Sequence, residues 1–195
     1  FDYSLRVPAV AAVSVSDGRG NIMLRDSGPL PTAVNIGARD YFVAHQSGAY
    51  EGLYIGKPQK TYDGAVEVLP LSRAYFGADG QFAGVVVVAI RLSYFNGQLQ
   101  AMDLGASSGV NLFRSDGLIL ARYPYDGTDV GRSLAGTPNM QRIQASKKGL
   151  FVGRASLDSV ERMYVFHHVG TYPLIVNIAQ STHTILAHWQ RNAWL

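Results

Sequence analysis

Gly52-Leu53-Tyr54-Ile55-Gly56-Lys57 returns 97 positions later as Gly149-Leu150-Phe151-Val152-Gly153-Arg154, and every position is identical or chemically matched. One short apolar run between glycines names no fold. A recurrence at a long, fixed distance marks a duplicated unit. Upstream, Ser16-Asp17-Gly18 precedes Ile22-Met23-Leu24, and Ser115-Asp116-Gly117 precedes Leu118-Ile119-Leu120, with the Asp-Gly pairs 99 apart. Downstream, Leu71-Ser72-Arg73 matches Phe166-His167-His168 at an offset of 95, and Val85 to Ile90 matches Leu174 to Ala179 at 89. The shrinking offset fits a longer turn in the first copy, Gly77-Ala78-Asp79-Gly80-Gln81. Four matches in chain order predict a tandem duplication.

Each copy then reads alike. An apolar strand (Ala11 to Val15; Val110 to Phe113) meets an Asp-Gly turn, which tolerates the positive φ of a hairpin, and a second strand follows (Asn21 to Leu24; Leu118 to Ala121). A helical stretch comes next, Ala33 to Gln46 in the first copy and Thr137 to Lys148 in the second. Three strands close the first copy, at Leu53 to Ile55, Val66 to Tyr75 and Phe82 to Ile90, and three close the second, at Gly149 to Val152, Arg162 to Val169 and Leu174 to Gln180. Two strands, a helix and three strands is the order of a PAS-like fold. The predicted class is α/β (α+β): two tandem PAS-like modules, each a five-stranded antiparallel sheet flanked by helices. The boundaries are 1–92 for the first module, 93–104 for a connecting helix with Leu99 and Met102 at helical spacing, 105–181 for the second module, and 182–195 for a C-terminal helix leading toward a membrane.

Composition agrees. The 195 residues are 47% apolar and 16% charged, enough to build cores and too apolar for disorder. The net charge of +3 comes from scattered arginines, without the basic stripe interleaved with aromatics that nucleic-acid binders carry. With no Cys, disulfides and thiolate chemistry are excluded. Val85 to Ile90 is far shorter than the ~20 residues a membrane helix needs. The chain opens on Phe1-Asp2-Tyr3, and we read it as a fragment of a longer protein.

The order of several stretches carries a resemblance: Ala38-Arg39-Asp40-Tyr41-Phe42, Tyr54-Ile55-Gly56-Lys57-Pro58, Leu71-Ser72-Arg73, Asp79-Gly80-Gln81-Phe82-Ala83-Gly84-Val85-Val86, Tyr94-Phe95, Asp103-Leu104-Gly105 and Asp116-Gly117-Leu118-Ile119-Leu120-Ala121-Arg122. From about Pro8 to Trp189 the chain resembles the double Cache sensor domains of bacterial diguanylate cyclases and histidine kinases. The resemblance implies a periplasmic, non-catalytic domain between two transmembrane helices and a homodimer in the full receptor. It further implies a small-molecule ligand in the membrane-distal (first) module and no cofactor. Amino-acid-sensing members resemble Arg-x-Trp-Tyr on the distal helix, where this chain has Arg39-Asp40-Tyr41-Phe42. Their amine-binding Asp falls at Ala89. The carboxylate-binding half is kept and the amine-binding half is lost, which points to a polar or anionic metabolite other than an α-amino acid.

The expected ligand-binding set is Arg39, Tyr41, His45, Tyr54, Ser72 and Arg73. Arg39 offers a bidentate fork to an anion, and the tyrosines offer amphipathic walls. Each has a plainer reading as a core or edge residue. Ser72 and Arg73 are adjacent on a strand and point to opposite faces, so one of them at most faces a pocket. Gly105-Ala106-Ser107-Ser108-Gly109 matches a nucleophile elbow in letters only, because a helix precedes it and a strand follows, the reverse of that motif's setting. His167 and His168 diverge on their strand and form no metal pair. Catalytic and metal residues are expected to be none. The competing reading is a ligand-free module that transmits partner contact or dimer geometry.

Overall fold

The computed structural model describes residues 7–26, 33–102, 104–105, 108–125 and 127–186. Two compact units divide at Tyr94 and Phe95, inside a helix, and each has its own antiparallel sheet.

The first unit contains β1 (Val10–Ser16), β2 (Ile22–Arg25), α1 (Asp40–Gln46), β3 (Tyr54–Ile55), β4 (Gln59–Lys60), β5 (Glu67–Phe76) and β6 (Phe82–Arg91). Its strand order is β2-β1-β6-β5-β3, with β4 also on β5. α2 (Leu92–Gln100) follows. The second unit contains β7 (Ser108–Arg114), β8 (Ile119–Tyr123), α3 (Pro138–Gln144), β9 (Lys148–Arg154), β10 (Glu161–His168) and β11 (Leu174–Ser181), in the order β8-β7-β11-β10-β9. Residues 182–186 are helical. The rest of the expected C-terminal helix, with Trp189 and Trp194, and the opening Phe1 to Arg6 lie outside the described residues. No helix among the described residues is long and apolar enough to cross a membrane.

The α+β class and the two-module order are as expected, and the first sheet has six strands where five were predicted. The extra strand arises because one edge strand is broken. Ile55 pairs with Leu71 and Gln59 with Val68, so one strand uses an extra residue. Between them lie Pro58 and, on β5, Pro70, whose nitrogens have no hydrogen to donate. The second unit has no proline there, and β9 runs unbroken for seven residues. The predicted helix from Ala33 is also shorter, beginning at Asp40. Val34 and Gly20 carbonyls accept from Ile22 and Ile36 N–H, which holds this stretch extended against the hairpin.

The repeat is deeper than its letters. In both units the chain closes the first hairpin on a glycine with positive φ, Gly20 at 86° and Gly117 at 91°. The glycine carbonyl then accepts from the stretch before the helix, from Ile36 N–H and Leu134 N–H respectively. The structural counterparts are thus Gly20 and Gly117, 97 apart, rather than the two Asp-Gly pairs at 99. Later registers shift too. Both first strands carry a bulge one residue before Ser16 or Phe113, which makes Ser14 and Asn111 equivalent. Ser14 faces Val87, which faces Ser72, whereas Asn111 faces Asn177, which faces Phe166. Ser72 therefore matches Phe166 at 94, and the sequence pairing of Leu71 with Phe166 is one residue out. A one-residue slip swaps faces; Ser72 and Phe166 are both buried, as their shared face requires.

Candidate functional site

The predicted first-unit residues are seen first. Arg39 is the N-cap of α1 and makes no side-chain cap. Its Nη1 donates to Gln59 Oε1 at 2.5 Å, and its guanidinium lies 6.0 Å from the Tyr62 ring centroid. Tyr41 is 1% exposed, and burial first, then Tyr62, lifts its phenol far above the ordinary range, so it stays protonated. His45, 4% exposed, places Nε2 3.1 Å from Ser72 Oγ, and its ring meets Tyr50 and Tyr54 edge to face. Tyr54 donates to Asp40 Oδ2 at 3.5 Å. Arg73 is exposed and Ser72 buried, on opposite faces as expected.

Most of these polar atoms meet one another. Tyr41, Phe42 and His45 on α1 close over Ser72, Val85 and Val87 and fill the space between helix and sheet. His45 and Arg73 also border a pocket of about 500 Å³ with Tyr50, Phe76 and Phe82, beside the packed helix–sheet core rather than within it.

The second unit differs. A cavity of about 280 Å³ lies between its sheet and α3. α3 starts well: Thr137 Oγ1 accepts from Met140 N–H and Pro138 opens the helix. Met140 and Ile143 then pack with Phe113, Ile119, Phe166 and Ile175 in the core, and Met140, Ile143, Phe113 and Ile119 form the apolar side of the cavity.

Its polar side is built by the sheet register. Arg122, Asn111 and Asn177 sit side by side on β8, β7 and β11. Asn111 Nδ2 donates to Asn177 Oδ1 at 2.9 Å. Asn177 is 1% exposed, and its Nδ2 is buried with no acceptor among the described residues; the same holds for Arg122 Nε. Arg122 Nη1 pairs with Asp129, which also lies 3.7 Å from Arg132. At the rim, Arg162 donates to both oxygens of Asp158 at 2.6 Å. Those hydrogen bonds hold the Asp158 carboxyl below its usual range and raise Arg162. Burial raises the Tyr164 phenol beside them.

Sequence reasoning passed over Asn111, Arg122, Asn139, Asp158, Arg162 and Asn177. Two had a readable signal: Asn111 and Asn177 each interrupt an apolar strand, Val110-Asn111-Leu112 and Val176-Asn177-Ile178. An amide there has to be buried or to serve something. His168 Nε2 lies 3.0 Å from Ile143 O while His167 is exposed, so the two histidines do diverge. Ala106 and Ser107 of the elbow-like stretch lie outside the described residues. Among the described residues no three His, Asp or Glu side chains are grouped as metal ligands.

Residues 92–179 match the dCache_1_like histidine kinase sensor domain. The extracellular domain assigned to the histidine kinase rpHK1S-Z16 is 27% identical over 95% of this chain and 76% of its own, with a TM-score of 0.82. The periplasmic sensory domain of the Campylobacter jejuni chemoreceptor Tlp1 is 14% identical over 95% of this chain and 76% of its own, with a TM-score of 0.67. The ligand-binding domain of the Pseudomonas fluorescens chemoreceptor CtaA, in complex with L-serine, is 19% identical over 89% and 74%, with a TM-score of 0.62. No curated protein matches the chain. Residues 92–179 are thus similar to the dCache_1_like histidine kinase sensor domain, and the chain as a whole carries the tandem PAS-like Cache fold seen in histidine kinase and chemoreceptor sensor domains.

Proposed function

We propose that this chain is the non-catalytic, extracytoplasmic sensing domain of a membrane-bound receptor, and that it takes up a small polar ligand in its second unit. One observation carries the site: the second unit keeps a cavity with apolar walls and convergent polar groups, the usual form of a small-molecule site. The relatives support the receptor role, being extracellular or periplasmic sensor domains. In the intact receptor the domain works as a homodimer between transmembrane helices and controls a cytoplasmic histidine kinase or diguanylate cyclase.

The first-unit site is a second reading, favoured by Arg39. Its guanidinium is partly buried and rests on a neutral amide, Gln59. A ligand carboxylate that displaced Gln59 would gain a charge-assisted pair.

One experiment separates the two. Small molecules that co-purify with the domain are identified by mass spectrometry, and their effect on melting temperature is measured in Asn139→Tyr and Arg39→Ala. Asn139 lines the second cavity, and its helix counterpart is Tyr41, so tyrosine fits this fold and fills the space. The expected result is a ligand shift lost in Asn139→Tyr and kept in Arg39→Ala. The reverse moves the site to the first unit. A domain that carries and binds no small molecule supports the ligand-free interaction module instead.

A further inference from the structure

Two buried donors in the second-unit cavity have no acceptor among the described residues, and they belong to neighbouring parts of one row. Arg122 Nε and Asn177 Nδ2 flank Asn111 across three adjacent strands. A buried donor without an acceptor carries an uncompensated desolvation cost, and two on one cavity floor are a feature that calls for explanation. An acceptor-bearing ligand supplies one. The charges set its sign. Among the residues that line the cavity, Arg122 and Arg162 stand against one carboxylate, Asp158, while Asp129 pairs with Arg122 from outside the lining. The surplus is positive. Opposite the floor, Met140 and Ile143 of α3 offer apolar surface, which Phe113 and Ile119 continue on the sheet side.

Resting on the reading that this cavity is the ligand site, we infer that its ligand is a small carboxylate with a short apolar tail, its oxygens accepting from Arg122 Nε and Asn177 Nδ2 and its tail lying against Met140 and Ile143. The size agrees: a cavity of about 280 Å³ suits a compact molecule. A tetrahedral oxyanion would satisfy the donors and leave the apolar wall without a partner. A cation would meet the surplus positive charge.

The first unit indicates which substitutions the fold accepts. Val87 holds the place of Asn177, so Asn177→Val removes the donor and leaves a side chain that this fold already carries there. Arg122→Lys keeps a cation for Asp129 and removes the Nε donor.

The test is thermal-shift and calorimetric titration of the domain with propionate, butyrate, lactate and pyruvate, alongside propanamide, propylammonium, sulfate and inorganic phosphate. The expected result is that carboxylates stabilise the wild type and that affinity falls at least tenfold in both Arg122→Lys and Asn177→Val, while both variants still melt cooperatively. If no carboxylate stabilises the domain, the inference is overturned. If propanamide or propylammonium binds as well as the carboxylates and the two variants bind normally, the cavity is still a ligand site and the carboxylate assignment fails. If sulfate or phosphate matches the carboxylates, the site reads any oxyanion and the apolar tail has no role. If carboxylate binding persists in Asn139→Tyr, the ligand sits elsewhere, and the cavity reading falls with the inference.

Discussion

The two units place a short helix over the same sheet face, and the helices differ at every inward position. α1 turns Tyr41, Phe42 and His45 inward; the corresponding positions of α3 hold Asn139, Met140 and Ile143. The floors differ in the opposite sense. Ser14, Val87 and Ser72 in the first unit stand where Asn111, Asn177 and Phe166 stand in the second. In the first unit large rings descend onto a low floor, and His45 reaches Ser72 across the gap. In the second, smaller and more flexible side chains face a taller, polar floor, and a cavity remains. The richer set of aromatic and polar residues marks the unit whose helix–sheet space is filled by its own side chains, with its pocket displaced to the His45–Arg73 side. A pocket needs missing volume as well as polar groups, because protein interiors close-pack wherever they can.

The comparison rests on the register that pairs Ser72 with Phe166, and truncating those two residues is the strongest way to break it. Phe166 belongs to the second unit's core. Phe166→Ala should cost about 3–5 kcal/mol of stability by cavity formation. Ser72→Ala should cost about 1–2 kcal/mol, chiefly by leaving His45 Nε2 without its partner. Urea unfolding of both variants measures the difference, and equal losses would mean that the two positions are not buried in the ways described.

The shared hairpin device predicts the opposite pattern, near-equality. A Cβ on Gly20 would sit 2.5 Å from Gly37 N, and one on Gly117 would sit 2.9 Å from Ala135 N, both at positive φ. Backbone strain of this kind costs about 1–3 kcal/mol. Gly20→Ala and Gly117→Ala should therefore each lose about that much, Gly20→Ala slightly more. A harmless alanine at either position would show that the two units close their hairpins differently.

What could be read from the sequence follows from this. The duplication was legible because turn glycines and apolar runs recur in order, and Gly149 needed no structure to be matched with Gly52, whereas the letters pair Gly117 with Gly18 and only the turn geometry pairs it with Gly20. The register within long apolar strands was not legible. Val85-Val86-Val87-Val88 offers four similar residues, and one step along it exchanges the two faces of the sheet. The site depended on that step, because it sets Asn177 beside Asn111 and Arg122. The stretch from Thr137 to Lys148 has no aromatic, and that absence leaves room over the second sheet. Arg122–Asp129 and Asp158–Arg162 are loop-to-strand pairs fixed by tertiary packing, and neither spacing announces itself.

The smallest expected effect sharpens the comparison at the loops. Asp63 lies in the turn between β4 and β5, and Asp158 in the turn between β9 and β10. Both carboxyls are held below their ordinary value, but by different partners: the Thr61 hydroxyl for Asp63, and the Arg162 guanidinium for Asp158. A carboxyl whose folded pKa is depressed contributes stability above its unfolded pKa, near 4, and loses it as pH falls through the lower folded value. The Asp158–Arg162 clamp should thus be fully effective at pH 7 and fade below about pH 4. Asp158 is 46% exposed, so solvent screening holds its worth to about 1 kcal/mol or less. Melting of wild type and Asp158→Asn between pH 3 and pH 7 should show a gap at neutral pH that closes in acid. Salt should narrow the same gap, because the pair is screened. Asp63→Asn keeps an oxygen that accepts from the Thr61 hydroxyl and removes only the charge, and its gap should respond to pH in the same direction and much less to salt. A salt-insensitive Asp158 gap would mean that Val160 N–H, which also bonds this carboxylate, matters more than Arg162, and that the cavity rim is held by the turn and not by charge.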